Sequence, residues 1–366
     1  MVYADLKGNI GLYCAAGIPV RNREIPFGIL PGHTDQYDWK GYVPFEELPY
    51  QFNPAGGYVA SANNRTAPPD YPYHIGSWYS HPSRYERISG LLSSGDLLSV
   101  EDFKKIQLDQ HSKMAEKYMP YIINALSRYE HMDAVENKAF EMLKTWDYDM
   151  SSSSAPAAIF ENLYWQLVRC TYADELGNEL FTSLNGITSI TRNATDQLID
   201  TKSSAWFDDV NTDDKKEGLD EAVICAFVKT VDSLSTSLGN DPVKWEWGKM
   251  HPLVLAHPLS SVDILDKVFN LNRGPFGVGG SFHTVSPYSY DNNKPFDANH
   301  GSSHRHIFEL SNWDNSLTVI PTGNSGIPSS RHYCDQTELY INGKYHRDHF
   351  SKEMVVKNKQ YYMKFY

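Results

Sequence analysis

Several common signatures are missing from this sequence, and each absence removes a class of function. The four cysteines, Cys14, Cys170, Cys225 and Cys334, lie far apart with no CxxC spacing. They give no zinc pattern and leave disulfides and redox compartment open. Lys and Arg form no stripe, and 33 basic against 45 acidic residues give a formal charge of -12. That balance argues against a nucleic-acid surface and against anionic membranes. No run of about 18 apolar residues could span a bilayer, and no basic patch with an apolar run opens the chain. There is no internal repeat, and no low-complexity tract beyond Ser151 to Ser154.

What is present is a sequence able to fold. Its 366 residues are 41% hydrophobic and 21% charged, enough for a large packed core. Tyr, Phe and Trp together make 13%, side chains that fill a core or line an apolar pocket.

The apolar period changes twice along the chain. Residues 1 to 66 have strand-and-turn character, with Lys7-Gly8-Asn9 turning between MVYAD and IGLYCAAGIPV, and with GYVASAN at 57 to 63 reading as a strand. From about Ser83 to Gly239 apolar residues recur three and four apart, in RYERISGLL, VEDFKKIQLDQHSKMAEKYMPYIINAL, NKAFEMLKTW and EAVICAFVKTVDSL, which predicts helices. Ser99 with Asp102 resembles a capping box. After Pro242, SFHTVS, HIFELS, SLTVIP and KQYYMKFY read as strands between polar loops. The expected divisions are 1–82 (strands and loops), 83–240 (mostly helical insertion) and 241–366 (returning strands and C-terminal segment). Strands at both ends around a helical insertion fit an α+β fold better than alternating βαβ units.

Some chemical patterns are weak. His300, His304 and His306 share a loop, but their spacing is poor for a metal and no Cys or carboxylate partner is matched to them. Gly277-Val278-Gly279-Gly280 lacks a following GK[ST] and reads as a turn. His332, Asp335 and Ser325 suggest hydrolysis, yet no GxSxG accompanies them, and packing of the C-terminal segment accounts for them better. Ser151 to Ser154 read as a linker.

Three stretches together resemble the penicillin amidase (penicillin acylase) family. They are YDWKGYVPFEELPYQFNPAGGYVASANN at 37 to 64, the steps Tyr71-Pro72 and Ser83-Arg84, and TVIPTGNSGIPSSRHYCDQTELYINGKY at 318 to 345. Their order and spacing extend the match over nearly the whole chain. The resemblance implies part of an αββα N-terminal-nucleophile hydrolase sandwich, made as a precursor that cleaves itself into α and β chains. A new N-terminal Ser would attack the carbonyl of a linear amide, with its own α-amine as base, and an acyl-enzyme would follow.

By the same resemblance, Asn63 supplies an oxyanion-hole amide and Arg84 orients the active-site groups. On the residues alone, Asn63 and Asn64 read more readily as bonding a turn, and Arg84 reads equally well as a solvated charge at a helix start. Some family members bind structural calcium through a proline carbonyl, here Pro26, and carboxylates. Ile75 stands near the place of one expected aspartate, so no complete calcium site is expected, and no cofactor is required.

The chain begins inside an apparent strand, where the family's α chain, its processing junction and the first β-chain strands would precede it. The expectation is a fragment that lacks the nucleophile and is inactive alone. Its partners would be the α chain and the N-terminal part of the β chain, and its substrate a small acyl amide. Nucleic acid and membrane are not expected partners, and the intact protein would be periplasmic or secreted. The alternative is a non-catalytic binding or scaffold protein that keeps an acyl pocket.

Overall fold

The computed structural model describes residues 1–21, 28–95 and 97–366. The chain divides into two compact units, Met1–Leu97 and Leu98–Tyr366.

In the first unit, β1 (Val2–Ala4), β2 (Ile10–Tyr13) and β3 (Tyr50–Phe52) form an antiparallel sheet in that order. The turn between β1 and β2 forms where Lys7-Gly8-Asn9 predicts it. The Asp5 carboxylate accepts from the Lys7 and Asn9 backbone N–H groups at 2.8 and 3.0 Å and from the Asn9 amide at 2.8 Å. Those bonds, the Asn9 side chain first, hold Asp5 at a pKa of about 2. Ile18, Val43 and Leu48 make a small core, and α1 (Ser83–Leu92) ends the unit.

Residues 57 to 63, expected as a strand, are not one. Gly57 (φ +73°) and Asn63 (φ 61°) sit in the left-handed region, which breaks the pleat at both ends. The place beside β2 is taken by Tyr50–Phe52 instead.

The second unit opens with helices: α2 (Val100–Gln107), α3 (Lys113–Leu126), α4 (Ala134–Lys144), α5 (Ala155–Asn185), α6 (Thr188–Thr201), α7 (Leu219–Leu238) and the short α8 (Trp247–Met250). The long apolar period from Val100 divides at Ser112, whose Oγ accepts from the Ala115 N–H at 3.1 Å and starts α3. The capping box at α2 forms as read, with Ser99 Oγ and Asp102 Oδ2 each accepting from the other residue's backbone. The serine run read as a linker ends as a cap: Ser154 Oγ accepts from Ala157 N–H at 3.3 Å and opens α5.

Helices α5 and α7 pack lengthwise around a core that includes Phe160, Phe227, Trp245 and Trp247, all fully buried. The strands follow, with three short helices: β4 (Pro252–Leu255), α9 (Asp263–Phe269), β5 (Arg273–Gly277), β6 (Tyr288–Ser289), β7 (His300–Gly301), β8 (Arg305–Ile307), β9 (Leu317–Val319), α10 (Thr337–Ile341), β10 (His346–Arg347) and α11 (Lys352–Asn358). They pair as β4-β5, β6-β7 and β10-β9-β8, all antiparallel. Leu253, Val278, Tyr288, Val319 and Tyr340 form a second core there.

HIFELS overlaps β8 and SLTVIP contains β9, but SFHTVS is a buried turn. Thr284 Oγ1 accepts from Ser281 N–H at 2.9 Å and donates to the Ser286 carbonyl at 2.8 Å, consuming locally the groups a ladder would use. The terminal KQYYMKFY forms no strand and is exposed. The architecture is α+β, as the pattern predicts.

The helical region also buries charge. Arg192 on α6 is 3% exposed and Glu161 on α5 is 1% exposed, and they face each other at 3.7 Å. Tyr290 donates to Glu161 at 2.7 Å and Tyr164 donates to Asp196 at 2.9 Å, while Arg192 lies against the rings of Tyr164, Phe282 and Tyr290. Removing the cation would leave the buried Glu161 carboxylate without the positive charge that faces it. Arg192→Met is therefore expected to destabilise the chain by about 3–5 kcal/mol. Urea unfolding of the variant beside the parent checks this, and a loss under about 1 kcal/mol would contradict it.

Candidate functional site

The two residues singled out from the sequence meet in the first unit. Asn63 is exposed on the loop after β3, in a left-handed backbone conformation that Asn tolerates better than most residues. Its carbonyl accepts from the Ser80 N–H at 3.0 Å, and Asn64 Oδ1 accepts from the Ala62 N–H at 2.9 Å. The loop is thus pinned on both sides of the asparagine.

Arg84 is the second residue of α1. Just before it, Ser83 is buried, with its Oγ 2.5 Å from His81 Nδ1. A cation in the first turn of a helix stands against the helix dipole, a disadvantage of roughly 0.3–1 kcal/mol. Two carbonyl oxygens offset it: Arg84 Nη2 donates to Ala62 O at 3.1 Å and to Asn63 Oδ1 at 2.9 Å. Burial lowers the pKa of the guanidinium, which nonetheless stays charged.

That contact fixes which way the Asn63 amide points. A guanidinium has donors only, so the oxygen of the amide must face Arg84 and the NH2 must face away. Among the described residues, the Asn63 Nδ2 has no hydrogen-bond acceptor. The result is a neutral donor, oriented and polarised by a cation behind it and presented outward. Such a donor can meet negative charge developing on a carbonyl oxygen without exchanging a proton.

Other sequence-level candidates are placed differently. Pro26 lies outside the described residues. Ile75 packs against the Ile18, Val43 and Leu48 cluster, and its side chain brings no carboxylate to that position. His332 Nδ1 is 2.7 Å from Asp335, but its Nε2 accepts from Arg331 at 3.0 Å, and Ser325 Oγ accepts from the Ile327 N–H. The three do not form a nucleophile–base chain. His300 bonds Asn299 and His304 bonds Thr318, while His306 lies against the rings of His304 and Phe308 and stands 2.7 Å from the Asp348 carboxylate, a partner the sequence did not indicate. Gly279 is approached by the backbone of the Met150 to Ser152 segment, which leaves no cradle for a phosphate.

Sequence reasoning missed the direct clamp between Arg84 and Asn63 and the parts played by the Ala62 carbonyl and the Ser80 amide. Backbone groups leave no residue-type signal, and a separation of 21 residues matches no period.

Comparison with known proteins identifies the family of the chain. The penicillin amidase family model matches residues 1–357. An acyl-homoserine lactone acylase, QuiP, from Pseudomonas syringae pv. tomato is 31% identical over 94% of this chain, which spans 43% of that relative. The penicillin acylase 2 proenzyme of a Pseudomonas species is 27% identical over 92% of the chain and 42% of its own length. Among solved structures, a thermostable penicillin G acylase from Alcaligenes faecalis superposes with a TM-score of 0.64 at 16% identity, covering 100% of this chain and 67% of that one. The chain therefore spans less than half the length of these two sequence relatives, and it belongs to the penicillin amidase family, whose penicillin G acylase fold it shares.

Proposed function

We propose that these residues form the oxyanion-binding part of an amidohydrolase that cleaves linear amides through an N-terminal Ser nucleophile and an acyl-enzyme. In this reading the nucleophile comes from sequence outside the 366 residues, in a precursor processed to α and β chains. The observation that carries it is the Asn63 amide, whose oxygen is held by Arg84 so that its NH2 is free to donate.

The serine hydroxyl attacks the scissile carbonyl and passes its proton to the neighbouring α-amine, a base of near-neutral pKa. The carbonyl oxygen gains charge and receives the Asn63 N–H, whose geometry is already set, so no reorganisation is needed at the transition state. Collapse of the intermediate expels the amine, and water releases the acid by the same route. No cofactor takes part, and any calcium in the intact protein is structural. Membership of the family and similarity to proteins named acyl-homoserine lactone acylase support an N-acyl homoserine lactone as the first substrate to test, with the acyl side chain of a β-lactam second. The intact enzyme works in the periplasm or outside the cell.

In the complete processed protein, Asn63→Ala should lower kcat by about 10²–10³-fold with little change in KM, because the lost bond strengthens only in the transition state. Steady-state kinetics on an N-acyl homoserine lactone checks this, and an unchanged kcat would reject the role of Asn63. Arg84→Ala, which frees the amide to rotate, should also lower kcat, by a smaller factor on the order of tenfold. The 366-residue chain alone should neither turn over substrate nor form an acyl-enzyme detectable by mass spectrometry. Tight binding of acyl amides with no turnover by the complete protein would favour a non-catalytic binding protein instead.

A further inference from the structure

Helices α5 and α7 bring together two cysteines that are 55 residues apart in the chain: Cys170 Sγ and Cys225 Sγ stand 2.8 Å from each other. Lys229, one turn beyond Cys225 on α7, places its Nζ 3.4 Å from Cys170 Sγ. Both cysteines are half-buried, and both line a cavity of about 660 Å3 together with Arg169, Asp174, Asp209 and Lys229. A small reagent therefore has a route to the sulfurs, while the walls are shared by both helices.

We propose that Cys170 and Cys225 are a modification site, a dithiol that closes to a disulfide across α5 and α7 when it meets a low-molecular-weight disulfide. The two sulfurs already touch, so closure needs a movement of less than about 1 Å to reach the bonded distance of about 2 Å. The electrostatics favour the first step. The S–H of Cys170, the larger effect, and the Lys229 ammonium lower the Cys225 pKa, whereas the shared proton raises that of Cys170. With oxidised glutathione as the oxidant, the Cys225 thiolate attacks one glutathione sulfur and releases the other glutathione as a thiolate. That thiolate takes the proton of Cys170. The Cys170 sulfur then attacks the Cys225 sulfur and expels the second glutathione, which is protonated from water by the proton Cys225 had lost. Two protein thiols are oxidised by two electrons, and one glutathione disulfide is reduced to two thiols.

The bond would close a long loop in the unfolded chain and so raise thermal stability. The test compares the purified chain after oxidised glutathione with the same chain after dithiothreitol. Expected are a mass lower by about 2 Da, a linked pair of peptides holding Cys170 and Cys225, and a Tm higher by on the order of 5 °C, with Cys14 and Cys334 still open to alkylation. Cys170→Ser should instead trap a glutathione on Cys225. Four alkylatable thiols after oxidation, or glutathione on single cysteines of the parent chain with no linked peptide, would overturn the proposal. Because these readouts are mass and Tm, they do not depend on amidase activity.

Discussion

A guanidinium without water around it constrains how the helical region can pack. Arg192 is nearly inaccessible, so its charge must be met within the protein, and three elements are committed to meeting it. Helix α5 brings Glu161, helix α6 carries the arginine itself, and the segment from Phe282 to Asn292 supplies two aromatic rings, a histidine and an amide. The geometry is demanding because a carboxylate and a guanidinium in a poorly polarisable interior attract strongly only when close, and lose their hydration whether or not they meet. Ring faces help, since they attract the cation without adding further charge. The buried turn at SFHTVS belongs to the same demand: it delivers Phe282 and His283 to the arginine, which an extended strand leading elsewhere would not do.

Arg84 uses the same chemistry for a different end. It is only partly buried, has no carboxylate partner among the described residues, and spends its donors on two oxygens of the loop that carries Asn63. Where Arg192 holds elements together, Arg84 holds one amide in one orientation. An asparagine alone could present either end of its amide outward, and only one end can stabilise negative charge. The cation removes that choice.

The difference between the two arginines also explains what could be read from the sequence. The α+β order, the helical span from Ser83 to Leu238 and the capping box at Ser99 were legible because apolar period and cap chemistry are local. Within that span helix α6 had no apolar period of its own to mark it, because its buried residues are mainly Thr191, Arg192, Thr195 and Asp196, with only Ile199 apolar. An element buried by polar side chains carries no hydrophobic period to detect. The strand expected at residues 57 to 63 failed for a related reason. Its alternating apolar residues satisfy the strand pattern, but the left-handed backbone at Gly57 and Asn63 is imposed by the turn and the clamp, which no window of sequence contains. Asn63 and Arg84 were found only because ordered motifs pointed to them, and nothing local showed that they touch.

The first unit has physical deficits that the proposed assembly would remedy. Its sheet has three short strands, and both outer strands, β1 and β3, are exposed, with Val2, Tyr3, Tyr50 and Phe52 bare to solvent. Open edges carry unpaired N–H and C=O groups, and a sheet this small is close to the limit of what can stand alone in water. The Asn63 NH2 is a further open position, an exposed donor fixed in place with no acceptor among the described residues. Added strands would satisfy the edges and cover the aromatic faces, and a carbonyl oxygen held opposite the amide would satisfy the donor. If those strands also carry the nucleophile, then the interaction that completes the sheet is the one that sets the distance between attacking serine and waiting amide. Stability of the sheet and geometry of the reaction would then rest on the same contacts, so a weakened edge pairing would be felt as lost rate before it was felt as lost fold.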